Sequence, residues 1–195
     1  MVNKLPPDYE SPFDVILCKF IDTHLHLYRA TGVTPNMVTT IGFLCGLLTA
    51  YLIVQRHFVW AAFFWILSYY FDCVDGKLAR KYNTVTLFGD YYDHICDSLK
   101  YVIVAGALIK SNTKKTTTKQ WIYFSILWLL ILLSCIHIGY QEIIYNKKEE
   151  SPWLNIPAQL VAGDPNPRRT IQYTKYFGMG FSVIGIALII IIWRK

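Results

Sequence analysis

The sequence predicts an all-α, polytopic integral membrane protein: a helical bundle with an amphipathic interfacial helix near its N-terminus. Three observations predict it. Of 195 residues, 54% are hydrophobic and only 16% charged, and the mean hydropathy is positive, +0.32, a balance unlike that of a soluble domain. The apolar residues are gathered in nearly charge-free blocks close to the length that crosses a bilayer. The five cysteines (Cys18, Cys45, Cys73, Cys96 and Cys135) fall mostly inside those blocks with no C-x-x-C pair, so they read as small hydrophobes. Nineteen Lys and Arg against thirteen Asp and Glu give +6. In a membrane protein that excess faces anionic headgroups, and no nucleic-acid partner is expected.

The elements follow in order. The start, MVNKLPPDYESPF, has no apolar stretch to act as a cleavable signal, so the first span is expected to serve as its own insertion signal. Asp14 to Arg29 sets Val15, Ile16, Phe20, Leu25 and Leu27 at helical spacing against Lys19, Asp22, His24 and His26. That pattern is an amphipathic helix lying in the interface over 14–32, the alternative being an arm packed on the loops. Thr34-Pro35 supplies a cap and a first-turn proline, and Met37 to Val54 forms the first span.

Arg56 and His57 make a short turn, and Phe58 to Phe71 returns directly into Asp72. Further spans are expected at Tyr91–Ile109, Trp121–Tyr140 and Tyr173–Trp193, five in all. A sixth could come only from the polar, proline-containing loop Gln141–Gln172, whose apolar piece Trp153–Gly163 is too short to cross alone. With no internal repeat, residues 1–195 read as one membrane domain, with the core spans in 36–140, the polar loop at 141–172 and the last span at 173–193.

The side holding the turn between the second and third spans carries Lys4, Lys19, Arg29, Lys77, Arg80, Lys81, Lys147, Lys148, Arg168, Arg169 and Lys175. The other side carries Arg56, Lys110, Lys114, Lys115, Lys119, Arg194 and Lys195. The excess places the first side in the cytosol. His24, His26, His57 and His137 have no ligand spacing with acids and read as interface or packing residues, while Tyr69, Tyr70, Tyr91, Tyr92, Trp121, Trp128 and Trp193 fit an aromatic belt.

Acidic residues are absent from 23–71 and from 98–141, yet five fall within 72–97: Asp72, Asp75, Asp90, Asp93 and Asp97. Carboxylates at the ends of spanning helices are costly and mark functional sites. Asp72 and Asp75 are three apart and Asp93 and Asp97 four apart, so each pair projects from one helical face. Four converging carboxylates repel unless cations lie among them, and an all-oxygen set suits Mg²⁺, Mn²⁺ or Ca²⁺ rather than zinc. Two such ions would clamp phosphates in a displacement reaction.

The residues between fit phosphate chemistry. Gly76 admits a ligand to the backbone, Lys77, Arg80 and Lys81 bring positive charge, and Arg80 can hold phosphate bidentately. Lys100, one turn beyond Asp97, either neutralises that carboxylate or reaches the phosphates. Asp90 has no evident role beyond supporting these groups.

The run Asp72-Cys-Val-Asp75-Gly76-Lys-Leu-Ala79-Arg80, eight residues, then Gly89-x-x-x-Asp93-x-x-x-Asp97 resembles the motif of the CDP-alcohol phosphotransferase family at every fixed position. Within that family, DGKLARKYN followed by GDYYDHICDSL looks like the choline/ethanolamine phosphotransferase branch, His94 after the third Asp being the distinguishing residue. Thr34-Pro35-Asn36 is similar to the entry of the family's first helix, and the resemblance covers about residues 14–140.

The resemblance implies a transferase that moves a phospho-alcohol from a CDP-alcohol to a lipid hydroxyl and releases CMP. CDP-choline or CDP-ethanolamine and diacylglycerol are the expected substrates, in phospholipid biosynthesis. It implies Mg²⁺ or Mn²⁺, two ions, on Asp72, Asp75, Asp93 and Asp97, and a CDP pocket formed by Gly76, Lys77, Ala79, Arg80 and Gly89. Asp97 is the implied base, with His94 its rival because an imidazole ordinarily titrates near neutrality. It further implies a homodimer in an endomembrane such as the endoplasmic reticulum, with the site open to the cytosol. Two other readings stay open: a phosphatidyltransferase using CDP-diacylglycerol with inositol or glycerol phosphate, and a silent membrane scaffold that keeps the cation site. A cation channel fits poorly, because the acids lie at helix ends beside a basic turn.

Overall fold

The computed structural model describes residues 6–111, 117–145 and 155–193. The predicted all-α architecture is what forms: α1 (Pro12–Ala30), α2 (Pro35–Val54), α3 (Phe58–Lys81), α4 (Leu87–Lys110), α5 (Thr118–Tyr145), α6 (Asn155–Val161), α7 (Pro167–Thr174) and α8 (Met179–Ile192). Lys4, Lys114, Lys115, Trp153, Lys147, Lys148, Arg194 and Lys195, used above to read orientation and the polar loop, lie outside the described residues.

Local chemistry sets the helix starts. Thr34 caps α2 by accepting from the Met37 N–H at 3.3 Å, with Pro35 in the first turn as expected. Thr86 caps α4 by accepting from the Gly89 N–H at 3.0 Å. Asn83, at φ 52°, lets the chain turn between α3 and α4.

Four stretches are long and apolar enough to cross a membrane: Pro35–Val54, Phe58–Lys81, Thr118–Ile144 and Pro167–Ile192. The count differs from the five read in the sequence because α4, though 24 residues long, carries Asp90, Asp93, Asp97 and Lys100. Its contacts nevertheless follow α2 from end to end. Thr40 meets Tyr92, Gly46 meets Lys100, and Arg56 donates to the Ser111 carbonyl just past α4. Residue numbers rise together along both helices, so α4 runs parallel to α2 over its whole length with its charges turned inward.

No sixth span forms among the described residues. The stretch read as a polar loop instead holds α6 and α7, seven and eight residues long, and α5 continues through Tyr145. Gly139 admits α6, since the Pro157 carbonyl lies where a Cβ would sit. The last span is also not one helix. Gly178 adopts an extended ψ of 172°, and a short 3-10 turn at Lys175–Phe177 joins α7 to α8.

Small residues bring the helices together. A Cβ on Gly42 would lie 3.3 Å from the Ser68 carbonyl and from Phe71 Cβ, and Ser68 donates to the Gly42 carbonyl at 2.7 Å. Close backbone approach through such residues is the usual basis of helix association in lipid. Trp65, 1% exposed, fills the centre and donates its indole N–H to the Val183 carbonyl at 3.2 Å. Large apolar side chains such as Leu44, Trp60, Phe63, Val102 and Leu129 face outward, where acyl chains would meet them. Trp193, read as a belt residue, is instead buried, donating to the Leu108 carbonyl and Ser111 Oγ. His24 packs on Tyr70 and His137 bonds Thr174 inside the bundle, as packing residues should.

Helix α1 docks through Ile21 and Leu25, both 0% exposed and packed against Val38, Val74 and Leu78, and through polar ties. Asp14 accepts from the Tyr69 hydroxyl at 2.7 Å and from the Gly180 N–H at 3.4 Å, tying α1 to α3 and α8. Burial pushes the Asp14 carboxyl above the usual range, against the downward pull of these two donors.

Candidate active site

The motif lies on the facing ends of α3 and α4, against α2. At 100° per residue, Asp72, Asp75, Gly76 and Ala79 form one stripe of α3 about 100° wide with Arg80 a further 40° or so around, and Gly89, Asp93 and Asp97 form one stripe of α4. Carboxylate oxygens of Asp72, Asp93 and Asp97 lie within 4.8 Å of one another. Asp75 is 4% exposed and accepts from the Thr39 hydroxyl of α2. Asp72, Asp75, Asp93 and Asp97 together line one cavity with Thr39, Gly42 and Lys100.

The donor set is tested by its own polar atoms. Asp93 Oδ1 is buried with no hydrogen-bond partner, and an unmet buried acceptor is costly. Three carboxylates within reach of one centre, all oxygen donors, fit a hard divalent cation such as Mg²⁺ or Mn²⁺.

Arg80 lies one turn beyond Gly76 on α3. Its guanidinium nitrogens would be 3.1 Å from a Cβ on Gly76, so the glycine leaves it room, and its Nε is buried with no hydrogen-bond partner. Gly89 serves α4 in the same way: a Cβ there would come within 3.0 Å of Asn36 Oδ1 and Thr86 Oγ1. Ala79 is half-buried on the same stripe.

Lys77 points elsewhere. Its ammonium lies 2.7 Å from Asp22 and donates to the Cys18 carbonyl at 2.8 Å, anchoring α1. His94 Nδ1 is 2.8 Å from the Asp90 carbonyl. A carbonyl only accepts, so Nδ1 carries a proton, which in the neutral ring would make Nε2 the acceptor. Sequence reasoning passed over Thr39 and Thr86, and their only signal was a hydroxyl one helical turn from a site residue or cap.

Lys100 is the basic group shown at the cluster. It is 5% exposed, with Nζ 2.6 Å from Asp97 Oδ1 and 3.4 Å from Asp72 Oδ1. A second cavity beyond it is lined by Trp65, Ser68, Tyr69, Tyr101, Met179 and Val183 together with Asp72, Asp97 and Lys100. The salt-bridged trio therefore stands between a polar cavity and a mostly apolar one.

Such a bundle, with a buried acidic cluster held among its helices, is an integral multi-pass membrane protein. The chain belongs to the CDP-alcohol phosphatidyltransferase family, whose model matches residues 32–193. It is 29% identical over 115 residues to archaetidylinositol phosphate synthase of Pyrococcus horikoshii, covering 56% of this chain and 57% of that protein. It is 29% identical over 119 residues to cholinephosphotransferase 1 of Danio rerio, covering 55% of this chain and 31% of that protein. The mouse cholinephosphotransferase 1 is similar at 29% over 115 residues, 53% of this chain and 28% of the relative. The chain thus spans about a third to just over half the length of these relatives. No solved structure matches it.

Proposed function

We propose that the chain transfers a phospho-alcohol from a CDP-alcohol to a lipid hydroxyl with release of CMP, from CDP-choline or CDP-ethanolamine to diacylglycerol. The observation that carries this reading is the cluster of Asp72, Asp93 and Asp97, whose carboxylate oxygens lie within 4.8 Å of one another and whose Asp93 Oδ1 is buried without a hydrogen-bond partner. Such a cluster wants a cation, and Arg80, whose Nε is also buried without a partner, suits the anion that a metal-bound pyrophosphate would supply. The His94 motif and the cholinephosphotransferase relatives favour the amino-alcohol donors.

In this reading the hydroxyl oxygen of the acceptor bonds to the phosphorus that bears the alcohol. The bridge from that phosphorus to CMP breaks, and the hydroxyl proton passes to a base on the protein. Divalent cations held by Asp72, Asp75, Asp93 and Asp97 would supply charge neutralisation for the phosphates. Arg80 binds and orients the pyrophosphate through its free edge, while Gly76 and Gly89 keep the approach open. Asp97 Oδ1 is already taken by Lys100, whereas the bond of His94 to the Asp90 carbonyl uses Nδ1 and leaves Nε2 outside it. That contrast supports His94 as the proton acceptor, with Asp97 holding cations.

The archaetidylinositol phosphate synthase relative favours a second reading, transfer from a CDP-linked diacylglycerol-type lipid to an inositol or glycerol phosphate. A homodimer and a cytosolic opening of the site in an endomembrane remain part of the proposal.

The test is a transfer assay in proteoliposomes with Mn²⁺ and labelled CDP-choline, CDP-ethanolamine or CDP-diacylglycerol. The expected result is lipid-soluble product from a CDP-amino-alcohol, lowered about 100-fold or more in kcat by His94→Gln with Mn²⁺ binding retained. Product only from CDP-diacylglycerol and a water-soluble acceptor would move the chain to the second reading. No product from any donor, with Mn²⁺ bound, would leave the silent-scaffold reading in place.

A further inference from the structure

We infer that Lys100 is a built-in cation of the aspartate cluster, standing where a second divalent ion would otherwise be needed, so that the site binds one divalent cation per chain. This rests on the proposed reading of the aspartates as cation ligands. It narrows the expectation of two ions drawn from the motif.

Three observations carry it. The Lys100 ammonium lies 2.6 Å from Asp97 Oδ1 and 3.4 Å from Asp72 Oδ1, so its N–H donors occupy an oxygen on each of two of the three carboxylates that could hold an ion. Asp93 Oδ1, by contrast, has no hydrogen-bond partner. The acceptor capacity of the cluster is thus divided between one side already covered by an ammonium and one side still open.

The second observation is the slot for the stem of Lys100. A Cβ on Gly46 would lie 3.0 Å from Lys100 Cβ, 3.5 Å from Lys100 Cδ and 3.6 Å from Ser68 Oγ. The lysine therefore lies flat across α2 at a glycine, with its carbons packed in the bundle and its charge delivered to the cluster, and is held there rather than merely tolerated.

The third is charge. Asp72, Asp75, Asp93 and Asp97 bring four carboxylates, and Lys100 offsets one of them before any metal arrives. One divalent cation then brings the ionised cluster close to neutrality. A second would add further positive charge beside a fixed ammonium, a repulsive arrangement in a medium that screens poorly.

The experiment is a Mn²⁺ titration of the full chain, purified in detergent, followed by electron paramagnetic resonance. Free Mn²⁺ gives the bound count, and the bound spectrum separates an isolated ion from an exchange-coupled pair. The wild type is expected to bind one Mn²⁺ per chain with a mononuclear spectrum. Lys100→Met, similar in length and uncharged, is expected to bind two and show coupling. Lys100→Gln serves as the second neutral variant if the methionine fails to elute as a folded bundle. Two ions in the wild type overturn the inference whatever the variants do, and so does a folded neutral variant that still binds one. No bound Mn²⁺ in folded wild type is a different failure, that of the underlying cation reading.

Discussion

Asp93 shows what one residue can reveal before any ligand is present. A buried carboxylate oxygen without a hydrogen-bond partner loses its water and gains nothing in return. A ligand repays that loss, and binding to the folded state alone stabilises it by mass action. Mn²⁺ at a hundredfold its dissociation constant is therefore expected to stabilise the bundle by about 2.7 kcal/mol. Asp93→Asn is expected to abolish that gain without lowering the metal-free thermal midpoint, because it removes a charge from a crowded cluster. Thermal unfolding in detergent with Mn²⁺ and with chelator checks both halves, and a variant still stabilised by Mn²⁺ would remove Asp93 from the cation site. The aspartates were legible in the sequence because their spacing alone puts them on two faces. Lys77 was not, since it lies about 140° around the helix from Asp72 and meets Asp22 and Cys18 of α1 instead. Which neighbour occupies that far side is a tertiary fact.

At the scale of elements, α2 is the wall against which the motif helices are set. Gly42 and Gly46 are one turn apart, the first admitting α3 and the second the stem of Lys100. Gly42→Val is expected to destabilise the bundle by about 1–3 kcal/mol, since its Cβ starts 3.3 Å from a backbone carbonyl that cannot rotate away. Gly106→Val on α4, where nothing lies within 4 Å, serves as the near-neutral comparison. Equal unfolding midpoints for the two variants would show that close approach at Gly42 carries no weight. Helix ends were the least legible part of the fold. The second span was read as ending at Phe71, yet α3 runs to Lys81, because its carboxylates find partners inside the bundle and the backbone ladder continues past them. The opposite error befell the last span, where an apolar pattern ran straight through the break at Gly178.

The whole molecule is closed by contacts that no local pattern announces. Asp14, Tyr69 and Gly180 join the interfacial helix to the third and last helices, and Lys175 donates to the Asp8 carbonyl beside them. Because burial raises the Asp14 carboxyl, the ionised form is the costly one in the folded state. Its contribution to stability is fullest below the ordinary 3.8 and falls as pH rises through the folded value. The Tyr69 hydroxyl matters most to that ionised form. Tyr69→Phe is accordingly expected to cost about 1–3 kcal/mol near pH 7 and less near pH 4, and a pH-independent loss in unfolding experiments would assign the hydroxyl a packing role only. The same tie has a bearing on how the chain is made. Asp14 and Gly180 are 166 residues apart, so a ribosome releases the carboxylate long before its backbone donor exists. Contacts of α1 with α3, such as Asp22 to Lys77, need only the first half of the chain, whereas the tie to Gly180 can close only once the last helix has been made.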